Sequence, residues 1–207
     1  MQDSTLYAGL SRYFDVQQLE KLRQTSVGFA GAGGLGSNAA LMLARCGLGH
    51  FLLVDDDLVE PSNLNRQQYW PRHVGQPKVY ALADVLRELN PAVDVETRHQ
   101  RLTRQNLPQT LTYCPLWVEA LDNAEDKSLF VEQALVAGCK VASASGLAGL
   151  SGPVMSRRVV GNLVLVGDFI SDVRTAPPLA PRVTQAAALL AEAILQMILA
   201  DADTQRI

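Results

Sequence analysis

The chain has 207 residues, of which 48% are apolar and 19% charged, with a net charge of −3 and a pI near 5.6. This composition is typical of a folded globular protein, and it excludes the overall basic charge of a nucleic-acid-binding protein. The length suffices for one complete α/β domain with a substantial core. We therefore predict a single domain over residues 1–207.

Two features bear on where the protein works. The segment MQDSTLYAGL lacks the basic start and apolar core of a signal peptide. The most apolar late stretch, residues 186–200, is short for a bilayer span and contains Glu192. We expect a packed helix there and a cytoplasmic protein.

The cysteines and histidines do not predict a metal centre. Cys46, Cys114 and Cys139 form no C-x-x-C pair, so no zinc is predicted. We expect all three to be buried apolar residues, as is usual for free cysteine. The three histidines are scattered along the chain.

Strand and helix patterns alternate in chain order. Residues 1–25 have apolar positions at helical spacing, which predicts one or two helices outside the sheet. Over 26–146, buried strands such as SVGFA and HFLLVDDD alternate with helices such as SNAALMLARCG and PKVYALADVLRELNP. This alternation predicts an α/β fold with a doubly wound, Rossmann-like, mostly parallel sheet. Residues 147–207 are expected to add antiparallel strands and a C-terminal helix.

A glycine-rich turn follows the first predicted strand. Glycine accepts positive φ and lets backbone N–H groups approach an oxyanion, and the next helix adds its positive end. The turn therefore predicts a phosphate site, with a ligand-free tight turn as the alternative. This pattern does not choose between NAD, FAD and ATP. Its glycines are Gly31, Gly33, Gly34 and Gly36.

An acidic residue follows the second predicted strand. Asp55 lies 24 residues after Gly31, where a carboxylate can accept hydrogen bonds from ribose hydroxyls. Asp56 and Asp57 follow directly, and the choice of Asp55 as the ribose ligand depends on where the strand ends. The ligand can therefore be one or two residues further along. Solvation of the loop is the alternative role.

Polar and cationic residues follow next, in PSNLNRQ and GQPK. These place Asn63, Arg66 and Lys78 after the ribose position. Hydride transfer gains nothing from cations near the phosphates, whereas phosphoryl or nucleotidyl transfer builds negative charge that they stabilise. The pair Arg66 and Lys78 therefore favours ATP as a substrate.

Asp122 and Asn123 end the predicted strand PLWVEALDN. The carboxyl ends of parallel strands line the ligand crevice, and a carboxylate there can hold Mg²⁺. The alternative is an N-cap for the following helix. Asn123 can cap the helix while Asp122 holds the metal.

Four motifs together resemble those of the ThiF/MoeB/HesA family, bacterial relatives of the ubiquitin-activating enzymes. They are GAGGLGSN, VDDDLVEPSNLNRQ, GQPKV and ALDNAEDK, over about residues 20–150. The chain length and the tail sequence GNLVLVGDF are similar to those of the short "family 2" ThiF proteins of thiamine biosynthesis.

The resemblance implies an activity. The family adenylates the C-terminal glycine carboxylate of a ubiquitin-like sulfur carrier ending in Gly-Gly, such as ThiS, with ATP and Mg²⁺. It implies that Gly34 and its neighbours bind the phosphates and that Asp55 binds the ribose. It places Asn63, Arg66 and Lys78 at the triphosphate and Asp122 on magnesium, with Asn123 beside it.

The resemblance also implies a homodimer in which the partner supplies an arginine from its N-terminal segment. The nearest match to the usual motif is LSRYFDVQQ, which makes Arg12 the candidate and Arg23 an exposed alternative. Residues 147–207 contain no cysteine for covalent linkage to the carrier, so we expect another protein to transfer the sulfur.

Three alternatives remain at this point. An NAD-dependent oxidoreductase would leave the SNLNRQ and PK segments unexplained. A non-catalytic binding protein that kept the fold should have lost Arg66, Lys78 or Asp122. A different substrate would keep the chemistry: a molybdopterin-type or cysteine-pathway carrier, or a carboxylate or amide of a peptide or RNA.

Overall fold

The structure is a computed structural model that describes residues 5–200. Two helices precede the sheet, as predicted. The helices are α1 Thr5–Leu10, α2 Val16–Gln24, α3 Gly34–Arg45, α4 Lys78–Leu89, α5 Leu107–Leu111, α6 Ala124–Val136 and α7 Ala180–Leu199. The strands are β1 Ser26–Ala30, β2 His50–Asp55, β3 Asp94–His99, β4 Leu116–Glu119, β5 Lys140–Ala144, β6 Ser156–Val160 and β7 Leu163–Gly167.

The strands form one sheet in the order β3-β2-β1-β4-β5-β7-β6. The pairs from β3 to β7 are parallel, and β6 alone runs antiparallel, at the edge beside β7. The predicted Rossmann-like fold with an antiparallel C-terminal addition is confirmed. One detail differs: β7 lies parallel to β5, because the tight turn after β6 returns the chain between β5 and β6.

Hydrophobic cores lie on both faces of the sheet. One core joins the sheet to α3, α4 and α7, and the other joins it to α5 and α6. The first strands read as continuous apolar runs because both faces are covered. The change of side occurs between β1 and β4, which is where ligands bind in sheets of this type.

Helix α7 corrects one expectation and confirms another. Its twenty residues are long and apolar enough to span a membrane by length and composition. The stretch 186–200 was expected to be too short for a span, but the helix begins six residues earlier, at Ala180. Half of its apolar window is buried inside the protein. Ala186, Leu190 and Ile194 lie fully within the core, which confirms the prediction of a packed helix.

Two of the three cysteines behave as expected. Cys114 and Cys139 are buried, and burial raises the pKa of the Cys114 thiol to about 12. Cys46 is only partly buried, because it follows the last turn of α3 near the surface, so the expectation of full burial is wrong for it.

Candidate functional site

The glycine turn is a tight junction between β1 and α3. Gly31 has a φ of +101°, which a side chain would strain, and a Cβ on Gly36 would collide with the carbonyl oxygen of Gly31. Helix α3 starts at Gly34, earlier than predicted, so Gly34 and Gly36 belong to its first turn. The N-cap residue Gly33 makes no side-chain capping hydrogen bond. The first N–H groups of α3 therefore face no capping side chain and can approach an anion.

Asp55 is the aspartate that reaches this turn. Its Oδ2 accepts the N–H of Ala32 at 2.6 Å and its Oδ1 accepts the N–H of Asp57 at 2.8 Å. Burial raises the pKa of the Asp55 carboxyl, while the Ala32 hydrogen bond and the charge of Lys78 oppose part of that rise. Asp56 and Asp57 are exposed, so the structure selects Asp55 as the carboxylate beside the glycine turn.

Lys78 is the first residue of α4 and lies, like Asp55, at the carboxyl ends of the parallel strands. Its Nζ is 2.6 Å from Oδ2 of Asp57, and only 8% of its side chain is exposed. The hydroxyl of Tyr69 donates to the carbonyl of Ala32 at 2.6 Å and contacts that of Lys78 at 3.3 Å. Tyr69 therefore holds the start of α4 against the glycine turn.

Arg66 lies over the first turn of α3. Its Cγ would be 3.6 Å from a Cβ built on Gly34. The side-chain amide of Asn38 donates to the carbonyls of Gly34 and Arg66, at 2.6 and 2.8 Å. The partly exposed guanidinium donates to the carbonyl of Ser62 at 3.1 Å and to Oδ1 of Asn65 at 2.8 Å. Arg66 and Lys78 thus lie on two segments that pack against the glycine turn, the first through its side-chain stem and the second through Tyr69.

Asn63 has a local structural role. It is buried, and its Oδ1 accepts the N–H of Glu60 at 3.0 Å, which closes the 3-10 turn Pro61–Asn63. This turn leads directly into Arg66. Asn63 therefore shapes the segment that carries the arginine.

Asp122 and Asn123 follow β4, and one of the two roles predicted for them, the N-cap of the next helix, is observed. Oδ1 of Asn123 accepts the N–H groups of Glu125 and Asp126, at 2.8 and 3.1 Å, so Asn123 is the N-cap of α6. Asp122 is exposed, and no hydrogen bond or ion pair to its carboxylate occurs within residues 5–200.

Carboxylate oxygens at this edge fit a hard cation such as Mg²⁺. Asp122, whose carboxylate has no partner within residues 5–200, follows two residues after Ala120, and the carbonyl oxygen of Ala120 would lie 2.6 Å from a Cβ on Gly31. Asp55, Asp56 and Asp57 form a second group, with ligand oxygens within 4.8 Å of one another.

Arg12 lies far from these residues in the same chain. It is exposed after α1, in a shallow groove that includes Leu89, the last residue of α4. Helix α1 contacts the far end of α3, where the hydroxyl of Tyr7 donates to the carbonyl of Gly47 at 3.1 Å. The twelve residues of α3 span about 18 Å, so Arg12 cannot meet the glycine turn of its own chain.

Arg23, the alternative arginine, is partly exposed. Its side chain is 40% exposed, lies 3.8 Å from Glu20 and packs over the ring of Tyr7. These contacts hold it on the N-terminal helices.

A buried polar cluster behind the site was missed by sequence reasoning. Glu119 at the end of β4 is fully buried, and its carboxylate accepts hydrogen bonds from Lys127 and Ser143. A charged residue within the apolar strand PLWVEAL was the available signal, because glutamate is rarely buried unless it is paired.

The fold and this edge of the sheet define a class. A glycine turn at a helix N-terminus, a carboxylate on the neighbouring strand and two adjacent cations are typical of nucleotide-binding α/β proteins. The ThiF family model matches residues 7–205, so the chain belongs to the ThiF family. The resemblance predicted from the four motifs is confirmed.

Named relatives are similar to parts of the chain. It is 40% identical over 135 residues to "Adenylyltransferase and sulfurtransferase uba4" of Emericella nidulans, which covers 65% of this chain and 28% of that protein. It is 41% identical over 104 residues to "Ubiquitin-like modifier-activating enzyme 5" of Branchiostoma floridae. That match covers 49% of this chain and 26% of that protein. The chain thus matches less than a third of the length of either relative.

Solved structures share the fold over nearly the whole chain. The E. coli tRNA N6-threonylcarbamoyladenosine dehydratase TcdA in complex with ATP has a TM-score of 0.86 and covers 96% of both chains at 19% identity. E. coli MccB in a structure with MccA has a TM-score of 0.71 at 20% identity and covers 88% of this chain and 58% of its own. These similarities concern the fold.

Proposed function

We propose that this protein is an adenylyltransferase that uses ATP to activate the C-terminal carboxylate of a ubiquitin-like carrier protein. The observation that supports this most is the pair of cations, Arg66 and Lys78, at the glycine turn. Negative charge on the phosphorus oxygens grows as a nucleophile attacks, and fixed cations stabilise it. A hydride transfer would make no use of them.

In the proposed reaction, a carboxylate oxygen of the carrier attacks the α-phosphorus of ATP. A bond forms between them, the bond to the β-phosphate oxygen breaks, and pyrophosphate leaves with its electron pair. The carboxylate is ionised at neutral pH, so the reaction requires no general base. Catalysis is then a matter of positioning and charge neutralisation.

Each site residue has a proposed part. The backbone of Gly31, Gly33, Gly34 and Gly36 holds phosphate oxygens, and Asp55 accepts the ribose hydroxyls. Arg66 and Lys78 bind the triphosphate, with Asn63 and Asn123 supporting the two loops. Mg²⁺ supplies further charge neutralisation when bound, and Asp122 is its proposed ligand.

The carrier is proposed to be of the ThiS type, ending in Gly-Gly, in thiamine biosynthesis in the cytoplasm. Support comes from the segment GNLVLVGDF, residues 161–169. The relatives named uba4 and ubiquitin-like modifier-activating enzyme 5 favour other carriers of the same class as the alternative.

A homodimer is part of the proposal, with Arg12 of one protomer completing the other's site. Two observations support it: Arg12 is too far from its own glycine turn, and Tyr13 and Val16 beside it are exposed at 80% and 82%. Large apolar side chains exposed together are common at protein interfaces.

ATP–pyrophosphate exchange with a panel of purified carriers ending in Gly-Gly tests the function. We expect exchange that requires one carrier, Mg²⁺ and the carrier's terminal glycine. A carrier lacking that glycine is the matched control. Folded protein with Mg²⁺ that gives no exchange with any carrier, and that binds NADH rather than ATP, would contradict the proposal.

A further inference from the structure

Glu119 is a fully buried carboxylate at the centre of the sheet. Its Oε2 accepts hydrogen bonds from Lys127 and, at 2.6 Å, from the hydroxyl of Ser143. Its Oε1 accepts the N–H of Leu121 at 2.8 Å. Burying a charge is costly unless it is paired and hydrogen-bonded, and here both carboxylate oxygens have partners.

The position of this carboxylate relates it to the nucleotide site. Glu119 pairs in register with Ala30 of β1 on one side and with Ser143 of β5 on the other. Ala30 directly precedes the glycine turn, and the N–H of Ala120 donates to the carbonyl of Ala30 at 2.8 Å. The turn after β4 is therefore attached to the strand that carries the glycine turn.

Asp122 lies between two anchors in this turn. Before it, the N–H of Leu121 is held by Glu119. After it, Asn123 caps α6, and the same helix supplies Lys127 one turn later. The backbone on both sides of Asp122 is thus fixed, while its own carboxylate has no partner within residues 5–200.

Packing β4 against α6 would not by itself require this arrangement. An apolar pair at the positions of Glu119 and Lys127 could join β4 to α6 without burying a charge. What an apolar pair cannot supply is an acceptor for the N–H of Leu121, one residue before Asp122. The Glu119 cluster is therefore placed to orient this loop.

We propose that Glu119, held by Lys127 and Ser143, is a positioning residue that orients the Asp122 carboxylate toward the metal ion of the bound nucleotide. The inference rests on the proposed function, in which Asp122 is the metal ligand. Residues that orient a ligand typically change metal affinity 10- to 100-fold when they are lost.

Two variants separate orientation from stability. Glu119→Gln keeps an acceptor for Leu121 and a donor for Ser143, but leaves Lys127 without its charge partner. Glu119→Leu combined with Lys127→Met removes the ion pair and restores apolar packing, but has no acceptor for Leu121. The double variant contains no unpaired buried charge, but the N–H of Leu121 and the hydroxyl of Ser143 lose their acceptor.

The measurement is calorimetric binding of a non-hydrolysable ATP analogue, with Mg²⁺ and with EDTA. The readout is the factor by which Mg²⁺ tightens binding. We expect Glu119→Gln to keep this factor within about threefold and the double variant to reduce it about tenfold or more. Binding in EDTA should change by less than about twofold in both.

Asp122→Asn distinguishes the two levels of the inference. If Asp122→Asn lowers the Mg²⁺ factor and the double variant does not, the positioning role of Glu119 is wrong and the metal ligand stands. If Glu119→Gln lowers the Mg²⁺ factor as much as the double variant does, the proposal that Glu119 orients Asp122 through the N–H of Leu121 is wrong. If Asp122→Asn keeps the full factor, the assigned metal ligand itself is wrong.

Discussion

Lys78 and Asp57 form an ion pair of 2.6 Å at the edge of the glycine turn, with the lysine side chain 8% exposed and the aspartate side chain 60% exposed. The ammonium group is thus held in one place by a carboxylate that faces solvent. Lys78 also begins α4, and its N–H donates to the carbonyl of Asp57 at 2.9 Å. From this position, the charge of Lys78 opposes part of the rise that burial causes in the pKa of the Asp55 carboxyl.

Replacing Lys78 by methionine should abolish most of the proposed activity. The apolar stem is kept and the charge is lost, so we expect pyrophosphate exchange to fall about 100-fold or more. Lys140→Met is the matched control, because Lys140 is exposed at the start of β5. It therefore lies at the amino ends of the parallel strands, away from the glycine turn at their carboxyl ends. A similar loss in both variants, or none at Lys78, would contradict the assigned role.

Arg66 should not be replaceable by lysine. A guanidinium offers a planar fork of donors, whereas an ammonium is a point charge. We expect Arg66→Lys to lower the exchange rate about tenfold or more at saturating ATP. Arg72→Lys is the control, since Arg72 is exposed and pairs with Glu88 at 3.1 Å. Full activity in Arg66→Lys would show that charge alone suffices.

Gly36→Ala should destabilise the fold. Its Cβ would collide with the backbone of Gly31, which cannot move without separating β1 from α3. Overpacking of this kind typically costs about 1–3 kcal/mol. Gly9→Ala is the control, because Gly9 is helical and has no neighbour within 4 Å of the added Cβ. Urea unfolding should show a lower free energy of unfolding for Gly36→Ala. For Gly9→Ala this free energy should rise by up to about 1 kcal/mol.

Asp168 should make stability depend on pH in acid. Burial alone would raise its pKa, but hydrogen bonds from Ser171, Ile170 and Arg182 lower the pKa to about 2. A carboxyl whose pKa is depressed in the folded state stabilises the protein above its unfolded pKa. That stabilisation, about 2 kcal/mol, is lost as the pH falls from about 4 to about 2.

Urea unfolding of the wild type and of Asp168→Asn over pH 2–7 checks this dependence. The variant should be less stable at pH 7, because Arg182 loses its buried partner, and its stability should fall less between pH 4 and pH 2. Parallel curves for the two proteins would mean that other carboxyl groups dominate acid unfolding. Asp172→Asn, at an exposed ion pair with Arg174, is the matched control.

Much of the fold was predictable because its signals are local. The apolar runs of β1 and β2, the stripe of α4 and the glycines between β1 and α3 each indicate their element without reference to distant residues. Since parallel strands end at one edge of a sheet, the same reading predicted that Asp55 and Asp122 would share that edge. Family membership followed from four motifs in order and is confirmed by the match over residues 7–205.

Other properties required the tertiary structure because they depend on contacts between distant segments. Which aspartate reaches the glycine turn depends on the hydrogen bond from Ala32, 23 residues away. The insertion of β7 between β5 and β6 depends on strand pairing, and the distance of Arg12 from the site depends on how α1 packs. The Glu119 cluster joins β4, β5 and α6 through side chains alone. The sequence determined the family and predicted the residues of the site, because local periodicity and motif spacing encode them. Only the fold decided which side chains hold those residues in place, because long-range packing has no local pattern.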